Sequence, residues 1–178
     1  DLKSAVQRVA NHLEDITGIK LVKVDDDADA MIDIYRANIS SGVSYAYYPN
    51  IRSDEDGGTF NPGNSYSNLV MNTRYTSYEK GSAGCQVLWH EVGHSLGLKH
   101  PFDDEPNRPS RLDNTNNTVM SYTWRGPNKF EYQRFDKQAL RELYGDGDGV
   151  EVGPINCQGC SAVARKRERS ALWKTRSS

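Results

Sequence analysis

The sequence has no apolar run near the roughly 20 residues needed to cross a bilayer, so no membrane span is expected. No signal peptide is visible, because the chain begins "DLKSAV", without an initiator Met or an apolar segment, as a mature or trimmed fragment would. The mean hydropathy of -0.77 predicts extensive loops, but an aromatic content of 10% argues against disorder. At 178 residues, the chain has the length of one domain with a tail.

Cysteine is also scarce, with three residues in the chain. Cys157 and Cys160 form "CQGC", and no second pair exists to complete a zinc ribbon. That motif leaves a small-loop disulfide, half of a metal site or no role as open interpretations. Cys85 lies on a predicted helix and is expected to be a buried apolar residue.

The net charge of -2 is small but unevenly placed. The segment 161–178 contains six basic residues and one acidic residue, so it carries +5 and the remainder carries -7. A solvated, flexible tail explains this segment better than a nucleic-acid or membrane partner. We therefore divide the chain into a domain at 1–145 and a flexible Gly- and Cys-containing linker with a basic tail at 146–178.

Apolar periodicity predicts helices at both ends of the 1–145 domain and short strands between them. "SAVQRVANHLEDITG" is amphipathic, with capping-box spacing at Ser4 and Gln7 and a C-terminal stop at Gly18. A second helix is predicted over 82–96 and a last helix, "DKQALRELY", closes at Gly145. Between the last two lies a loop of about forty residues, a length that usually indicates function. Strands are predicted within 19–24, 30–37, 43–50, 57–63 and 68–73.

Three of the four histidines fall within eleven residues, in "HEVGHSLGLKH". His90 and His94 lie four apart, so a helix places both imidazoles on one face. Gly97 can take the left-handed conformation that ends a helix and brings His100 back to the same point. Three neutral imidazoles leave the fourth position of a tetrahedral zinc ion open, as catalytic sites do. Glu91 lies beside that position and can act as a general base.

Two less specific interpretations stay open for this cluster. A pair of histidines on an amphipathic helix is often a hydrogen-bonded part of the core, and a zinc site can bind without catalysing. The presence of Glu91 at the expected spacing favours catalysis. The fourth histidine, His12, is expected to be a surface or packing residue.

The pattern H-E-x-x-H-x-x-G-x-x-H, followed by "TVMSY" with Met120, resembles the metzincin zinc peptidases and their Met-turn. Pro101, directly after the third histidine, and Tyr122, two residues after Met120, are similar to the serralysin branch. Phe102 stands where serralysins usually have Gly, and no Gly-Gly-x-Gly-x-Asp repeats follow. The resemblance covers roughly residues 1–145.

This resemblance implies an α+β fold of the metzincin type. We expect a twisted, mixed five-stranded sheet, a backing helix, an active-site helix and a loop-rich lower subdomain that ends in a C-terminal helix. It implies a zinc endopeptidase with Glu91 as general base, Tyr122 as a metal-proximal donor and Met120 under the metal. Substrate is expected to extend along an edge strand that includes Val43, Ser44, Tyr45 and Ala46.

We further expect a secreted monomer that acts on protein or peptide substrates. No membrane or nucleic-acid partner is expected. "DDDAD" and "GDGDG" suggest calcium loops, but neither completes an EF-hand pattern, so calcium is only a candidate structural ion. The tail from Ser161 is expected to be dispensable for the hydrolysis of short peptides. The alternative functions are an inactive zinc-binding module that holds peptides and a zinc hydrolase for non-protein substrates.

Overall fold

A computed structural model of the chain describes residues 1–24, 31–51, 65–103, 110–145 and 170–175. The helices are α1 (Leu2–Thr17), α2 (Ala83–Ser95) and α3 (Arg134–Tyr144). The strands are β1 (Lys20–Lys23), β2 (Ile32–Ala37), β3 (Tyr45–Ala46), β4 (Asn50–Ile51), β5 (Ser65–Asn72) and β6 (Ser170–Thr175). The predicted strand at 57–63, the "DDDAD" run, nearly all of "GDGDG" and the "CQGC" motif lie outside the described residues.

Helix α1 forms where its apolar residues repeat at the helical period, and it buries that face. Its start differs from the prediction, because Asp1 is the N-cap and its carboxylate accepts a hydrogen bond from the Ser4 backbone N–H at 2.8 Å. The capping box predicted at Ser4 and Gln7 is therefore wrong. Gly18 ends the helix with φ 71°, as predicted.

The strands form one mixed sheet in the order β1-β6-β2-β5-β3, with β4 also paired to β5. The pairs β1–β6, β6–β2 and β2–β5 are parallel, whereas β3 and β4 run antiparallel to β5. The mixed α+β class predicted from the sequence agrees with this arrangement. The predicted count of five strands is wrong, because the described residues contain six.

Strand β6 corrects the expected loose tail at its C-terminal end. Residues Ser170–Thr175 lie between β1 and β2, with Leu21 opposite Ala171 and Ile32 opposite Trp173. Backbone pairing on both sides explains why a segment without an apolar period is ordered. The preceding residues 146–169 are outside the described part of the chain.

The core joins the helices to the central strands. Helix α2 packs against β5 and β3, and α1 contacts both α2 and α3. The largest buried side chains that fill the space between these elements include Leu13, Ile34, Leu69, Leu88 and Leu140. Within the described residues, no helix is long and apolar enough to cross a membrane. This packing fixes α2, and therefore its histidines, against the edge of the sheet.

Candidate metal centre

Helix α2 and the turn after it bring the three histidines together. Ser82 caps the helix, and its hydroxyl accepts a hydrogen bond from the Cys85 N–H at 3.1 Å. At the other end, the Gly97 N–H donates to the His94 carbonyl at 2.9 Å, and Gly97 has φ 91°. This left-handed residue reverses the chain, so His100 returns to the face that carries His90 and His94.

The Nε2 atoms of the three imidazoles converge on one point. Their separations are 3.1 Å from His94 to His90, 3.1 Å from His94 to His100 and 3.3 Å from His100 to His90. Two nitrogens bound to zinc at about 2.0–2.1 Å and at a tetrahedral angle lie about 3.3 Å apart. The three residues therefore fit a tetrahedral zinc ion and would supply three of its four ligands.

The outer nitrogen of each ring determines which tautomer it adopts. Each Nδ1–H donates at 2.8 Å: His90 to the Val119 carbonyl, His94 to the Leu98 carbonyl and His100 to the Asp103 carboxylate. Because these partners can only accept, the proton lies on Nδ1 and all three Nε2 atoms carry lone pairs. Three lone pairs that face one another within 3.3 Å repel one another, and a metal cation between them would relieve that repulsion.

Burial keeps the rings of His90 and His94 neutral. It lowers the pKa values of His90 and His94 to about 4 each, against the hydrogen bonds that their Nδ1 atoms make. Neutral imidazole is the form that binds metal, so these two residues need not lose a proton at neutral pH.

Glu91 lies on the neighbouring part of the helix and is 6% exposed. Burial raises the pKa of Glu91 to about 8, and a hydrogen bond from the Ala46 backbone N–H opposes that rise. The Tyr47 N–H donates to the Asn68 carbonyl on β5, so the N–H of the preceding Ala46 points away from β5, toward Glu91. Glu91 therefore lies between the metal ligands and strand β3, with a carboxylate that can hold a proton.

Tyr122 lies over the same cluster and is 63% exposed. Its ring is stacked 5.7 Å from His90 and lies 4.7 Å from His100, centroid to centroid. Partial burial raises its pKa, and the carboxyl groups of Glu91 and Asp103 add to that rise. The phenol therefore stays protonated at neutral pH and can donate a hydrogen bond beside the metal position.

Met120 is 1% exposed and packs beneath α2. A Cβ added at Gly93 would lie only 2.6 Å from the Met120 sulfur, so this glycine allows the sulfur to approach the helix backbone. The turn that carries Met120 is fixed by Asp136 at the start of α3. The Asp136 carboxylate accepts hydrogen bonds from the Thr118 hydroxyl and, at 2.9 Å, from the Val119 N–H.

The four residues predicted to bind substrate lie together on and before the edge strand. Strand β3 covers only Tyr45–Ala46 and is shorter than the predicted strand. Val43 is exposed, whereas Ser44 is buried and its hydroxyl accepts a hydrogen bond from the Asn72 N–H at 2.9 Å. Any contact that Ser44 makes with a substrate would therefore involve its backbone.

Two carboxylates near the metal centre were missed by the sequence analysis. Asp103 follows His100 by three residues, and this spacing after a metal ligand was the available signal for it. Asp136 had no comparable signal, because its contact with the turn at 118–119 joins segments that are 17 residues apart or more.

Comparisons with known proteins agree with this geometry. A family model described as metallo-peptidase family M12 (Reprolysin_5) matches residues 3–133. Serralysin A from Dickeya chrysanthemi is 38% identical over 122 residues, which is 62% of this chain and 24% of that protein. Serralysin from Photorhabdus laumondii subsp. laumondii is 25% identical over 103 residues, covering 57% of this chain and 20% of the relative. Serralysin from Photorhabdus sp. (strain Az29) is 24% identical over 153 residues, covering 74% of this chain and 30% of the relative.

The chain thus spans less than a third of the length of the curated relatives it matches. The resemblance to metzincins of the serralysin branch, predicted from the two motifs, is confirmed by these matches. The family model covers well over half of the 178 residues and includes all three converging imidazoles. The chain belongs to metallo-peptidase family M12.

Proposed function

We propose that this chain is a zinc-dependent endopeptidase that hydrolyses peptide bonds in proteins. The observation that carries the proposal is the convergence of three Nε2 lone pairs within 3.3 Å of one another, with the Glu91 carboxyl group beside them. The open fourth position argues for a catalytic rather than a structural site. Membership in a metallopeptidase family supports peptides and proteins as the substrate class.

A zinc ion on His90, His94 and His100 would polarise the scissile carbonyl and make a water molecule acidic, with a pKa near 7. With zinc bound, Glu91 would accept a proton from that water and donate it to the leaving amine. Its burial supports this role, because burial raises the pKa of Glu91 and so helps the carboxyl group to hold a proton between the water and the leaving amine.

We assign the oxyanion contact to Tyr122. Its protonated hydroxyl can donate to the carbonyl oxygen as negative charge develops, and at rest it can lie close to the metal. Its 63% exposure leaves the ring free to move between these positions. Met120 supplies an apolar floor under the ligands, which is the role of the Met-turn.

The substrate backbone is proposed to pair with β3 in an extended conformation. Strand β3 is the end of the described order β1-β6-β2-β5-β3, so its outer edge can accept another strand. The Ala46 N–H, which donates a hydrogen bond to the Glu91 carboxylate, lies on that outer edge. A peptide added there would run past the metal position, with main-chain contacts along Val43, Ser44, Tyr45 and Ala46.

The remaining expectations concern the protein around the site. We propose a catalytic domain formed by residues 1–145 together with strand β6, with a loop-rich lower part closed by α3, acting as a secreted monomer on protein substrates. The resemblance to serralysins supports secretion. Structural calcium stays a prediction, because the "DDDAD" run and Asp146 and Asp148 of "GDGDG" lie outside the described residues.

The experiment compares casein hydrolysis by the wild-type chain and by Glu91→Gln, each with and without a zinc chelator. We expect chelator-sensitive cleavage, and a fall of at least about 10²–10⁴-fold in the variant with its zinc retained. Zinc-loaded wild-type protein that binds but never cleaves peptides would instead support the inactive peptide-binding module. Cleavage by Glu91→Gln at the wild-type rate would show that the general base is misassigned.

A further inference from the structure

The three metal-facing imidazoles differ in the charge of the group that orients them. The Nδ1–H groups of His90 and His94 donate to neutral backbone carbonyls. His100 donates instead to a carboxylate, the Oδ2 atom of Asp103, at the same distance of 2.8 Å. Only the third imidazole is therefore paired with a charged acceptor.

Asp103 is held in a fixed relation to this ring. The Asp103 Oδ2 atom also accepts a hydrogen bond from the His100 backbone N–H at 3.2 Å, and the Asp103 N–H donates back to the His100 carbonyl at 3.2 Å. The Tyr48 hydroxyl approaches the same oxygen at 3.4 Å from the segment after β3. The carboxylate thus receives donors from the ligand ring, from the ligand backbone and from across the cleft.

The ring of Phe102 covers one face of the His100 imidazole. The two rings are 4.9 Å apart and nearly parallel, with an interplanar angle of 5°. Tyr122 approaches His100 at 4.7 Å with its ring tilted by 59°. The His100 ring is therefore restrained by a carboxylate at its outer edge and by aromatic rings around it. These contacts keep its Nε2 atom pointing toward the other two Nε2 atoms.

We propose that Asp103 is a positioning residue for the metal centre, which strengthens zinc binding through His100. Its carboxylate fixes the Nδ1–H tautomer and the orientation of the ring, and its negative charge increases the electron density at Nε2. This inference rests on the proposed zinc site. It adds a requirement for the negative charge of one residue that does not itself touch the metal.

A purely structural role makes different predictions. Asp103 closes the turn at 100–103, and a turn residue would affect folding and not zinc affinity. Asp103→Asn distinguishes the two roles, because asparagine keeps an acceptor oxygen of the same reach and removes the charge. Asp103→Glu restores the charge on a longer side chain. Asp15→Asn removes one exposed carboxylate from α1 and is the matched control for net charge.

The test measures zinc dissociation constants of the full chain by competition with a chromogenic chelator, and the melting temperature of each metal-free protein. We expect Asp103→Asn to weaken zinc binding about 10–100-fold with an unchanged metal-free melting temperature. Asp103→Glu should recover part of that loss, and Asp15→Asn should bind like wild type. If the wild-type chain binds zinc and the zinc dissociation constant of Asp103→Asn lies within threefold of the wild-type value, this inference alone is overturned. Wild-type protein that binds no zinc overturns the proposed function itself.

Discussion

Replacing Asp136 with alanine should destabilise the protein and loosen its metal centre. Asp136 is 2% exposed and lies in the first turn of α3. Its carboxylate accepts hydrogen bonds from the Thr118 hydroxyl, from the Val119 N–H at 2.9 Å and from the Gln133 N–H at 2.8 Å. The carbonyl of Val119 in turn accepts the hydrogen bond of the His90 ring at 2.8 Å. Asp136 therefore anchors the peptide that orients a metal ligand.

The magnitude follows from two opposing effects. Hydrogen bonds to a charged group contribute about 1.5–3 kcal/mol each, so loss of all three removes about 5–9 kcal/mol. Burial raises the pKa of Asp136 from 3.8 to about 6, opposed by the three hydrogen bonds and by Lys137. That rise corresponds to a cost of roughly 3 kcal/mol for the charged form at neutral pH, which alanine would relieve. We expect a net loss of about 2–6 kcal/mol.

Asp136→Asn is the matched variant. Its oxygen can still accept from the Val119 and Gln133 N–H groups, and its amide can donate to the Thr118 hydroxyl oxygen. We expect it to stay within about 1 kcal/mol of wild type at pH 7. Urea unfolding of the metal-free proteins measures both values. Equal stability of Asp136→Ala and Asp136→Asn would refute the assignment of these hydrogen bonds.

The same residue gives a pH dependence of defined sign. A carboxyl group whose folded pKa is raised binds its proton more tightly in the folded state. Its contribution is therefore fully present below the unfolded pKa of 3.8 and is lost as the pH rises through about 6. Asp136→Asn cannot lose a proton, so it should gain up to roughly 3 kcal/mol relative to wild type between pH 4 and pH 7. A difference that stays constant over this range would contradict the argument.

Three further predictions concern single groups. Tyr122→Phe should lower kcat by roughly 10²-fold on a cleavable peptide with little change in KM, because the contact forms mainly in the transition state; an unchanged kcat would leave the ring a packing role only. Gly97→Ala should cost about 1–2 kcal/mol in unfolding free energy. The cause is the φ of 91°, since the nearest atom to an added Cβ is Leu143 Cδ1 at a comfortable 3.8 Å; wild-type stability would refute it. Gly84→Ala should cost about 1–3 kcal/mol in thermal melts, because its Cβ would lie 2.4 Å from the Ser77 carbonyl oxygen; a rise in melting temperature would show that the segment at 77 yields easily.

The parts of the molecule that depend on neighbours in sequence were predictable. The spacing in "HEVGHSLGLKH" predicted the helix, the turn at Gly97 and the convergence of three imidazoles, and the structure shows each of them. These features follow from the helical period and from one glycine conformation. The cap of α1 was mispredicted, because Asp1 competes with Ser4 for the same role and the sequence does not rank them.

The parts that depend on distant segments were not predictable. The segment at 170–175 has no strong strand pattern, and its place between β1 and β2 depends on parallel partners about 140–150 residues away. It also changes the expectation for the tail, since truncation from Ser161 would remove a strand that β1 pairs with. Asp136 was missed for the same physical reason, because folding alone brings the Thr118 and Val119 donors to its carboxylate. Asp103 differs, because its partner His100 is only three residues away and that spacing was a local signal.

The central claim is that His90, His94 and His100 together hold one zinc ion. The most direct test is elemental analysis of the gel-filtered wild-type chain and of His94→Ala after equilibration with zinc and removal of excess metal. The account predicts about one zinc per wild-type chain and almost none in the variant, because His94 is the ligand whose Nε2 lies 3.1 Å from both others. A wild-type chain without zinc, or a variant that holds as much zinc as wild type, would contradict it.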